Sequence, residues 1–385
     1  MRVDLARDLV ETAEGQRAEE ILRRCVHCGF CNATCPTYNL LGDELDGPRG
    51  RIYLIKGMFE SAEVDEDARF HLDRCLTCRN CETTCPSGVE YGELLELGRN
   101  YIHDRAPVST LLERILLWIV PYYRRLRFMV RFGRMVRWFA PKPLKRMLQP
   151  IRASHIACGS DASVTLLQGC AQRALTPEVN QHIADLLRAR DVNVKVIASE
   201  RCCGGLHLHR GRHEQALHHM SSYVKELYDE TTETYLSSAS GCGVTVKDYG
   251  RLLGTTEANE LADRTLDVSE YLHGFTFERH PNIQRVALHI PCTLQHGQRI
   301  QGLIERILEK TGYELVPVRD GHLCCGSAGS YSLLQAELSE QLLDRKLVCL
   351  EESAPDVIAT ANVGCQLHLN SGSSTRVVHW ATLLR

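Results

Sequence analysis

Hydrophobic and polar positions along the chain follow two regimes. In the first hundred residues the apolar positions recur at helical spacing, which predicts helices over Ala13–Arg24, Arg49–Ser61 and Glu63–Arg74. The last of these opens with acids, as a helix start should. Beyond residue 160 the pattern changes to short β-branched runs separated by helical stretches. The runs are SVTLLQGC (163–170), NVKVIASERCCGG (193–205) and TYLSSASGC (234–242), then RVALHIPC (285–292), ELVPVRDGHLCCGS (314–327) and DVIATANVGC (356–365). Thr176-Pro177 predicts a capped helix with proline at its first position, running to about Arg190. Gln298–Lys310, closed by Gly312, is its predicted counterpart. Strand–helix–strand order implies parallel sheets with right-handed crossovers.

The chain has 385 residues, 44% of them apolar and 24% charged, with a formal charge of −3. That composition excludes a disordered or small secreted scaffold and, taken whole, a polyanion binder. No run reaches the ~20 apolar residues of a spanning helix; Ile115–Tyr123 comes nearest and contains Pro121. The N-terminus carries acids and lacks the apolar core of a signal peptide, so a cytoplasmic chain is expected. Charge is unevenly spread. Residues 105–152 hold twelve Arg or Lys against one acid, Glu113, hence +11, leaving −14 for the rest. Arg124, Arg127, Arg131 and Arg134 share one helical face, with Leu126, Phe128, Val130, Phe132, Met135, Trp138 and Phe139 over most of the remainder. Such a helix suits the inner face of a membrane or a partner protein, or it packs on the chain's own core with its arginines solvated. No recognition motif accompanies the charge, which argues against nucleic acid.

The outlier is cysteine: 18 residues in a chain expected to stay in a reducing compartment, where metal ligation or redox chemistry outranks disulfides. Eight form two identical runs, Cys25-x2-Cys28-x2-Cys31-x3-Cys35-Pro36 and Cys75-x2-Cys78-x2-Cys81-x3-Cys85-Pro86, offset by 50 residues. This is the run of a two-cluster bacterial ferredoxin, in which three cysteines wrap one cubane and the fourth reaches the neighbouring one. The expected ligand sets are Cys25, Cys28, Cys31 and Cys85 for one [4Fe-4S] cluster, and Cys75, Cys78, Cys81 and Cys35 for the other. Paired CxxC zinc sites are the competing reading, less suited to four-cysteine runs ending in Cys-Pro.

A second repeat occupies the C-terminal half. Cys170, Cys202 and Cys203 recur as Cys292, Cys324 and Cys325 at an offset of 122; Cys242 recurs as Cys365 at 123. Each follows a predicted strand, so four thiols converge at the carboxyl edge of each sheet, where ligands collect in such folds. Apolar burial explains single cysteines but hardly two Cys-Cys-Gly turns in register. Gly204 and Gly326 are expected to let the backbone approach a cluster closely. The fold class is therefore α+β multidomain: a helical two-cluster ferredoxin-type domain (1–104), a basic amphipathic linker (105–160), and two α/β cysteine-rich repeats with parallel sheets (161–280 and 281–385).

CVHCGFCNATCPTYNLLGDELDGPRGRIYLIK (25–56), HLDRCLTCRNCETTCPSGV (71–89), PCTLQHGQ (291–298), HLCCGSAGSY (322–331) and TANVGCQLH (360–368) resemble the family of glycolate oxidase iron–sulfur subunits. That family is allied to the cysteine-rich subunits of heterodisulfide reductase and anaerobic glycerol-3-phosphate dehydrogenase. The resemblance spans nearly all of the chain outside 105–155. It implies an electron-transfer subunit serving a separate FAD-containing flavoprotein that oxidises glycolate to glyoxylate, with electrons passing to a quinone or other membrane acceptor. The alternatives are a flavoprotein for lactate or glycerol 3-phosphate, or disulfide reduction at the Cys-Cys-Gly edge. One departure stands out: the heterodisulfide-reductase type continues the last cysteine as CxxC, giving five ligands. Here Cys242 precedes Gly243-Val244-Thr245, and Cys365 precedes Gln366-Leu367-His368. A four-thiol cluster, a cluster using His368 in the second repeat, or no cluster all remain open, with at least one repeat expected to be metallated.

No G-x-G-x-x-G follows a strand, so neither flavin nor NAD is expected in this chain and no catalytic residue is assigned. GSAGS (326–330) reads as backbone beside a cluster. His207, His209, His213, His218 and His219 read as a solvated group at a helix start. His296 reads as a helix-start residue, with proton transfer near a reduced acceptor as the alternative. Cys158 and Cys349 read as ordinary thiols.

Overall fold

The computed structural model describes residues 1–135, 156 and 164–385. Predicted positions 136–155, including Trp138 and Phe139, and Cys158 lie outside the described residues.

The N-terminal region is helical throughout. Helix α1 (Ala13–Arg24) begins where Thr12 Oγ1 accepts the Gly15 N–H, and α2 (Pro48–Ser61) begins on a first-position proline. Helix α3 (Glu66–Asp73) starts later than its predicted Glu63, because Asp65 takes the cap and accepts from the Asp67 N–H. With α4 (Tyr91–Arg105) these helices bury Ile21, Leu22, Ile55, Leu72, Leu94 and Leu95 as one core. Two further helices follow: α5 (Leu111–Ile119), capped by Thr110, and α6 (Tyr123–Met135). Leu126 and Val130 of α6 pack on Ala171, Ala174 and Leu175 of α7 (Cys170–Leu175), so one side of the basic helix does face the protein. Its other side stays open, with Phe128, Phe132 and Met135 exposed.

The remainder is built from two four-stranded parallel sheets. Strands β1 (Val164–Leu167), β2 (Val194–Lys195), β3 (Thr234–Ser237) and β4 (Thr265–Asp267) pair in the order β2-β1-β3-β4. Strands β5 (Arg285–His289), β6 (Glu314–Val316), β7 (Val357–Thr360) and β8 (Val377–His379) repeat that order as β6-β5-β7-β8. The intervening helices are α8 (Pro177–Arg188), α9 (His213–Leu227), α10 (Ser240–Lys247), α11 (Leu303–Lys310), α12 (Ala336–Glu351) and α13 (Val363–Gly372). Pro177 opens α8 as expected, but Thr176 caps nothing: its hydroxyl is buried without a partner. Helix α11 is shorter than the predicted Gln298–Lys310. Arg299 and Gly302 take left-handed φ of 58° and 71°, and a single wide turn, Thr293–Gly297, precedes them.

The two repeats share one apolar core. Val164, Ile183 and Leu187 of the first belong to the same buried cluster as Val286, Ile304, Leu308 and Trp380 of the second. Hydrogen bonds cross in both directions: the Ser240 N–H donates to the Ala361 carbonyl at 3.2 Å, and His379 Nε2 to that of Ser238 at 2.9 Å. The ferredoxin-type region docks on both. Asn80 Nδ2 donates to the carbonyls of Thr34 (3.0 Å) and His322 (3.2 Å), while Arg99 Nη1 reaches the His209 carbonyl at 2.9 Å.

One buried ion pair ties the ferredoxin-type region together. Asp46 takes Arg51 Nη2 at 3.2 Å, Arg74 Nη1 at 2.8 Å and His71 Nδ1 at 3.1 Å. Arg51 also donates to the His71 carbonyl and to Thr37 Oγ1, leaving both members of the pair essentially without solvent exposure. Removing one partner strands the other charge in the interior. Arg51→Met should therefore lower stability by about 3 to 5 kcal/mol, read by urea denaturation. A change below about 1 kcal/mol would show that the Asp46 charge is already neutralised by Arg74.

Candidate iron–sulfur centres

Both four-cysteine runs fold identically. His27 and Thr77 take left-handed φ of 55°, and Gly29 and Arg79 follow at 82° and 58°. Such alternation turns successive backbone N–H groups inward, a concavity suited to a negatively charged cluster. A short helical turn follows each loop, Phe30–Ala33 and Asn80–Thr84, and carries the third cysteine. Cys35 and Cys85 then lie in extended backbone, each preceding its proline.

The thiols gather around two cavities. One is lined by Cys25, Cys28, Cys31 and Cys85, and also by Cys81. The other is lined by Cys35, Cys75, Cys78 and Cys81, together with Arg51 and Tyr91. In each, the fourth cysteine of one run meets the first three of the other. Burial drives these thiols away from ionisation: it pushes Cys31 up to about 11, and Cys78 and Cys81 well above the usual thiol range. A thiolate there needs positive charge at the sulfur itself, which is what a metal supplies.

The second set lies at the carboxyl edges of the sheets. Cys170 opens α7 just past β1, Cys202 and Cys203 precede Gly204, and Cys242 sits in the first turn of α10. In the second repeat, Cys292 follows β5, Cys324 and Cys325 precede Gly326, and Cys365 sits in the first turn of α13. Cys292 and Cys324 lie 3.9 Å apart, sulfur to sulfur. Contact with neighbouring thiols, Cys202 first, holds Cys203 well below the usual range, and Cys324 is lowered in the same way by Cys292. Cys365 is lowered to about 6, by Cys325 first and with His289 contributing. Clustered thiols of lowered pKa are ready to exchange their protons for a metal ion.

The glycines depart from expectation in part. A Cβ at Gly204 would lie 2.9 Å from the Ala216 carbonyl oxygen, and one at Gly326 2.8 Å from that of Ser339. These glycines, at φ of 80° and 90°, allow close passage of α9 and α12, while the Gly326 N–H donates to the Cys324 sulfur. A Cβ at Gly169 would lie 3.5 Å from Cys242 Sγ and one at Gly205 3.6 Å from Cys203 Sγ, both ordinary contact distances.

Several histidines also depart from expectation. His207 and His219 stack at 4.6 Å, and burial lowers both pKa values, that of His207 to about 4. His209 is likewise lowered to about 4, by burial and then by Arg99. His207, His209 and His219 are therefore packed beside Cys203 and not solvated, whereas His218 is exposed and His213 half-buried, as expected of a helix start. His296 is buried in the wide turn after Cys292 and engaged at both ring nitrogens. Its Nδ1 meets Thr83 Oγ1 at 2.9 Å and its Nε2 the His322 carbonyl at 3.0 Å, clamping the ferredoxin-type region to the second repeat. His368 Nε2 is engaged by Ser339 Oγ at 3.2 Å.

Glu200 escaped the sequence reading. It accepts the N–H groups of Gln168 (2.7 Å) and Gly169 (2.8 Å) and the Tyr223 hydroxyl (3.1 Å), fixing the loop that presents Cys170. Burial pushes its pKa up to about 7. An acid two residues before a Cys-Cys pair carries no motif of its own, and His322 stands at the matching position of the second repeat.

The two regions match known families. A 4Fe-4S dicluster domain matches residues 21–89, which contain all eight cysteines of the first set. A cysteine-rich domain matches twice, at 164–247 and 286–370. The chain is 40% identical to the glycolate oxidase iron–sulfur subunit of Escherichia coli (strain K12), over all of its own length and 98% of that protein. It belongs to the family of glycolate oxidase iron–sulfur subunits. A probable glycolate oxidase iron–sulfur subunit of Bacillus subtilis (strain 168) is 28% identical over 94% of the chain and 93% of that protein. Lactate utilization protein A of Geobacillus kaustophilus is 27% identical over 57% of the chain and 98% of its own. Within this family the present chain joins a 4Fe-4S dicluster region to two cysteine-rich domains, each on a four-stranded parallel sheet.

A cavity this tightly framed is sensitive to a single side chain. A Cβ at Gly29 would fall 2.5 Å from Arg49 Nη1 in a left-handed backbone, whereas Gly57 in α2 has nothing within 4 Å. Gly29→Val should lose the iron and acid-labile sulfide of one cluster, with Gly57→Ala unchanged, measured by elemental and sulfide analysis. Equal iron in both variants would refute the role of the loop.

Proposed function

We propose that this chain relays single electrons from a partner flavoprotein, which oxidises glycolate to glyoxylate, towards a quinone or other acceptor at the membrane. The observation that carries the reading is the continuity of buried thiols. Cys81 borders both ferredoxin-type cavities, and Cys78 packs on a buried cluster that contains Leu76, Cys292, Cys324 and Tyr331. The relatives named as glycolate oxidase subunits support the choice of substrate.

Our assignment gives Cys25, Cys28, Cys31 and Cys85 to one [4Fe-4S] cluster, and Cys75, Cys78, Cys81 and Cys35 to a second. Cys170, Cys202, Cys203 and Cys242 form a third metal site, and Cys292, Cys324, Cys325 and Cys365 a fourth. Bound iron–sulfur clusters take up and release one electron at a time, with potentials tuned by hydrogen bonding, charge and exposure. The chain's own residues supply those settings. Apolar neighbours such as Leu76 exclude water, Arg51 and Arg99 bring positive charge to the second cavity, and the loop N–H groups face inward. The corresponding domain limits are 1–104, 105–160, 161–280 and 281–385.

EPR of the complex, with glycolate, lactate and glycerol 3-phosphate added in turn, tests the relay. Glycolate alone should reduce the clusters, and should fail to once the flavoprotein is removed. Reduction by lactate or glycerol 3-phosphate, with glycolate inert, would overturn the substrate assignment while sparing the relay.

We further propose that α5 and α6 meet the inner face of the membrane. Leu111, Ile115, Trp118, Phe128, Phe132 and Met135 are exposed there, among the exposed Arg124, Arg127 and Arg131. The Arg125 guanidinium stacks over Trp118 (4.5 Å) and Tyr122 (4.2 Å), holding charge and aromatic surface together. No helix among the described residues is long and apolar enough to cross a membrane. The complex should sediment with phosphatidylglycerol vesicles, and about tenfold less with Phe128→Ser/Phe132→Ser or at high salt. Equal binding to neutral vesicles, unaffected by these changes, would refute it.

A further inference from the structure

The two cysteine-rich repeats differ at the buried strand end beside their thiols. Strand β5 ends on His289, three residues before Cys292; strand β1 ends on Leu167, three residues before Cys170. Both side chains are buried, His289 to 2% exposure and Leu167 to 3%. The first repeat thus places a hydrocarbon where the second places an imidazole.

Neither ring nitrogen of His289 has an oxygen or nitrogen partner, and the polar atom it acts on is the Cys365 sulfur. Leaving a buried polar group unpaired costs on the order of 1 to 3 kcal/mol, so such groups ask for an explanation. The surroundings supply one. A ring nitrogen of His289 and the sulfurs of Cys325 and Cys365 all lie within 4.8 Å of one another. A second orphan lies beside it: Thr360, paired in register with His289 across β5 and β7, has a buried hydroxyl with no partner. Histidine ligands to metals usually bind through one nitrogen while the other donates to a neighbouring oxygen. His289 has the thiols within reach, and Thr360 stands beside it in register on the neighbouring strand. His368, by contrast, already has its Nε2 engaged by Ser339.

We propose that His289 is a metal ligand of the second repeat, which with Cys292, Cys324, Cys325 and Cys365 makes a five-donor site of four thiolates and one imidazole. The proposal rests on the reading that this repeat holds an iron–sulfur cluster. The fifth donor missing after Cys365 in the sequence is then supplied by the strand end. The first repeat remains a four-thiolate site. Because a neutral imidazole leaves a cluster less negative than a fifth thiolate would, the second-repeat cluster accepts electrons at a higher potential than a five-thiolate site.

The test uses the full chain, reduced with dithionite, studied by nitrogen ENDOR and ESEEM with natural-abundance and 15N-histidine-labelled protein. A directly bound histidine nitrogen should appear, shift with the label, vanish in His289→Leu and persist in His368→Leu. His289→Cys, which restores a soft donor, should keep its iron, lose the nitrogen signal and move the cluster to lower potential in a redox titration. Cys325→Ser with iron counting separates the two readings. If that variant loses iron while the wild type shows no histidine coupling, the cluster stands and the histidine ligand falls. If iron is unchanged in Cys325→Ser, the second repeat binds none and both fall.

Discussion

Sulfur buried in a low-dielectric interior holds negative charge only beside a partner that favours it, and this constraint organises the molecule. Cys31, Cys78 and Cys81 are driven up by burial, away from the thiolate that a ligand must become. The backbone answers with inward-turned N–H groups at both CxxCxxC loops and with Arg51 and Arg99 beside the second cavity. Even so, full ionisation calls for metal at the sulfur. The helices, the shared core and the interface clamps serve to hold sixteen thiols in four groups where metal can do this. Without the metal, the same arrangement concentrates unpaired polar groups in the interior.

The fold was largely legible because its two signals are redundant. Helical spacing in the first hundred residues and the twice-repeated strand–thiol pattern each specify local structure independently of tertiary context, and α1, α2 and the parallel sheets follow them. Departures arise where context overrides. Residues 298–302 read as helix by composition, yet Arg299 and Gly302 adopt left-handed backbone to let the chain leave the wide turn after Cys292. His207 and His209 are polar in sequence, yet both are drawn in beside Cys203, His207 stacking on His219 of α9.

The sites were legible in their thiols and opaque in their supports. Cysteine spacing groups the ligands because chelation geometry requires it. Glu200 and His289 had no spacing rule to announce them, since a residue that acts across a sheet edge is set by strand register and not by distance along the chain. The roles of Gly204 and Gly326 could not be read either: the demand for left-handed backbone is local, but the carbonyls of Ala216 and Ser339 that make glycine necessary come from helices further on.

The common core of the two repeats bears on how such a sequence can drift. Val164 and Trp380 sit in one apolar cluster, so neither half presents a finished surface once the other is gone. Deleting a repeat would expose the interior of its twin, and exchanging one for a cousin would require matching an entire buried face. Duplication here has worked as a ratchet. The halves are bound to inherit each other's packing, and their freedom to diverge is confined to the rim, where one strand ends in leucine and its counterpart in histidine.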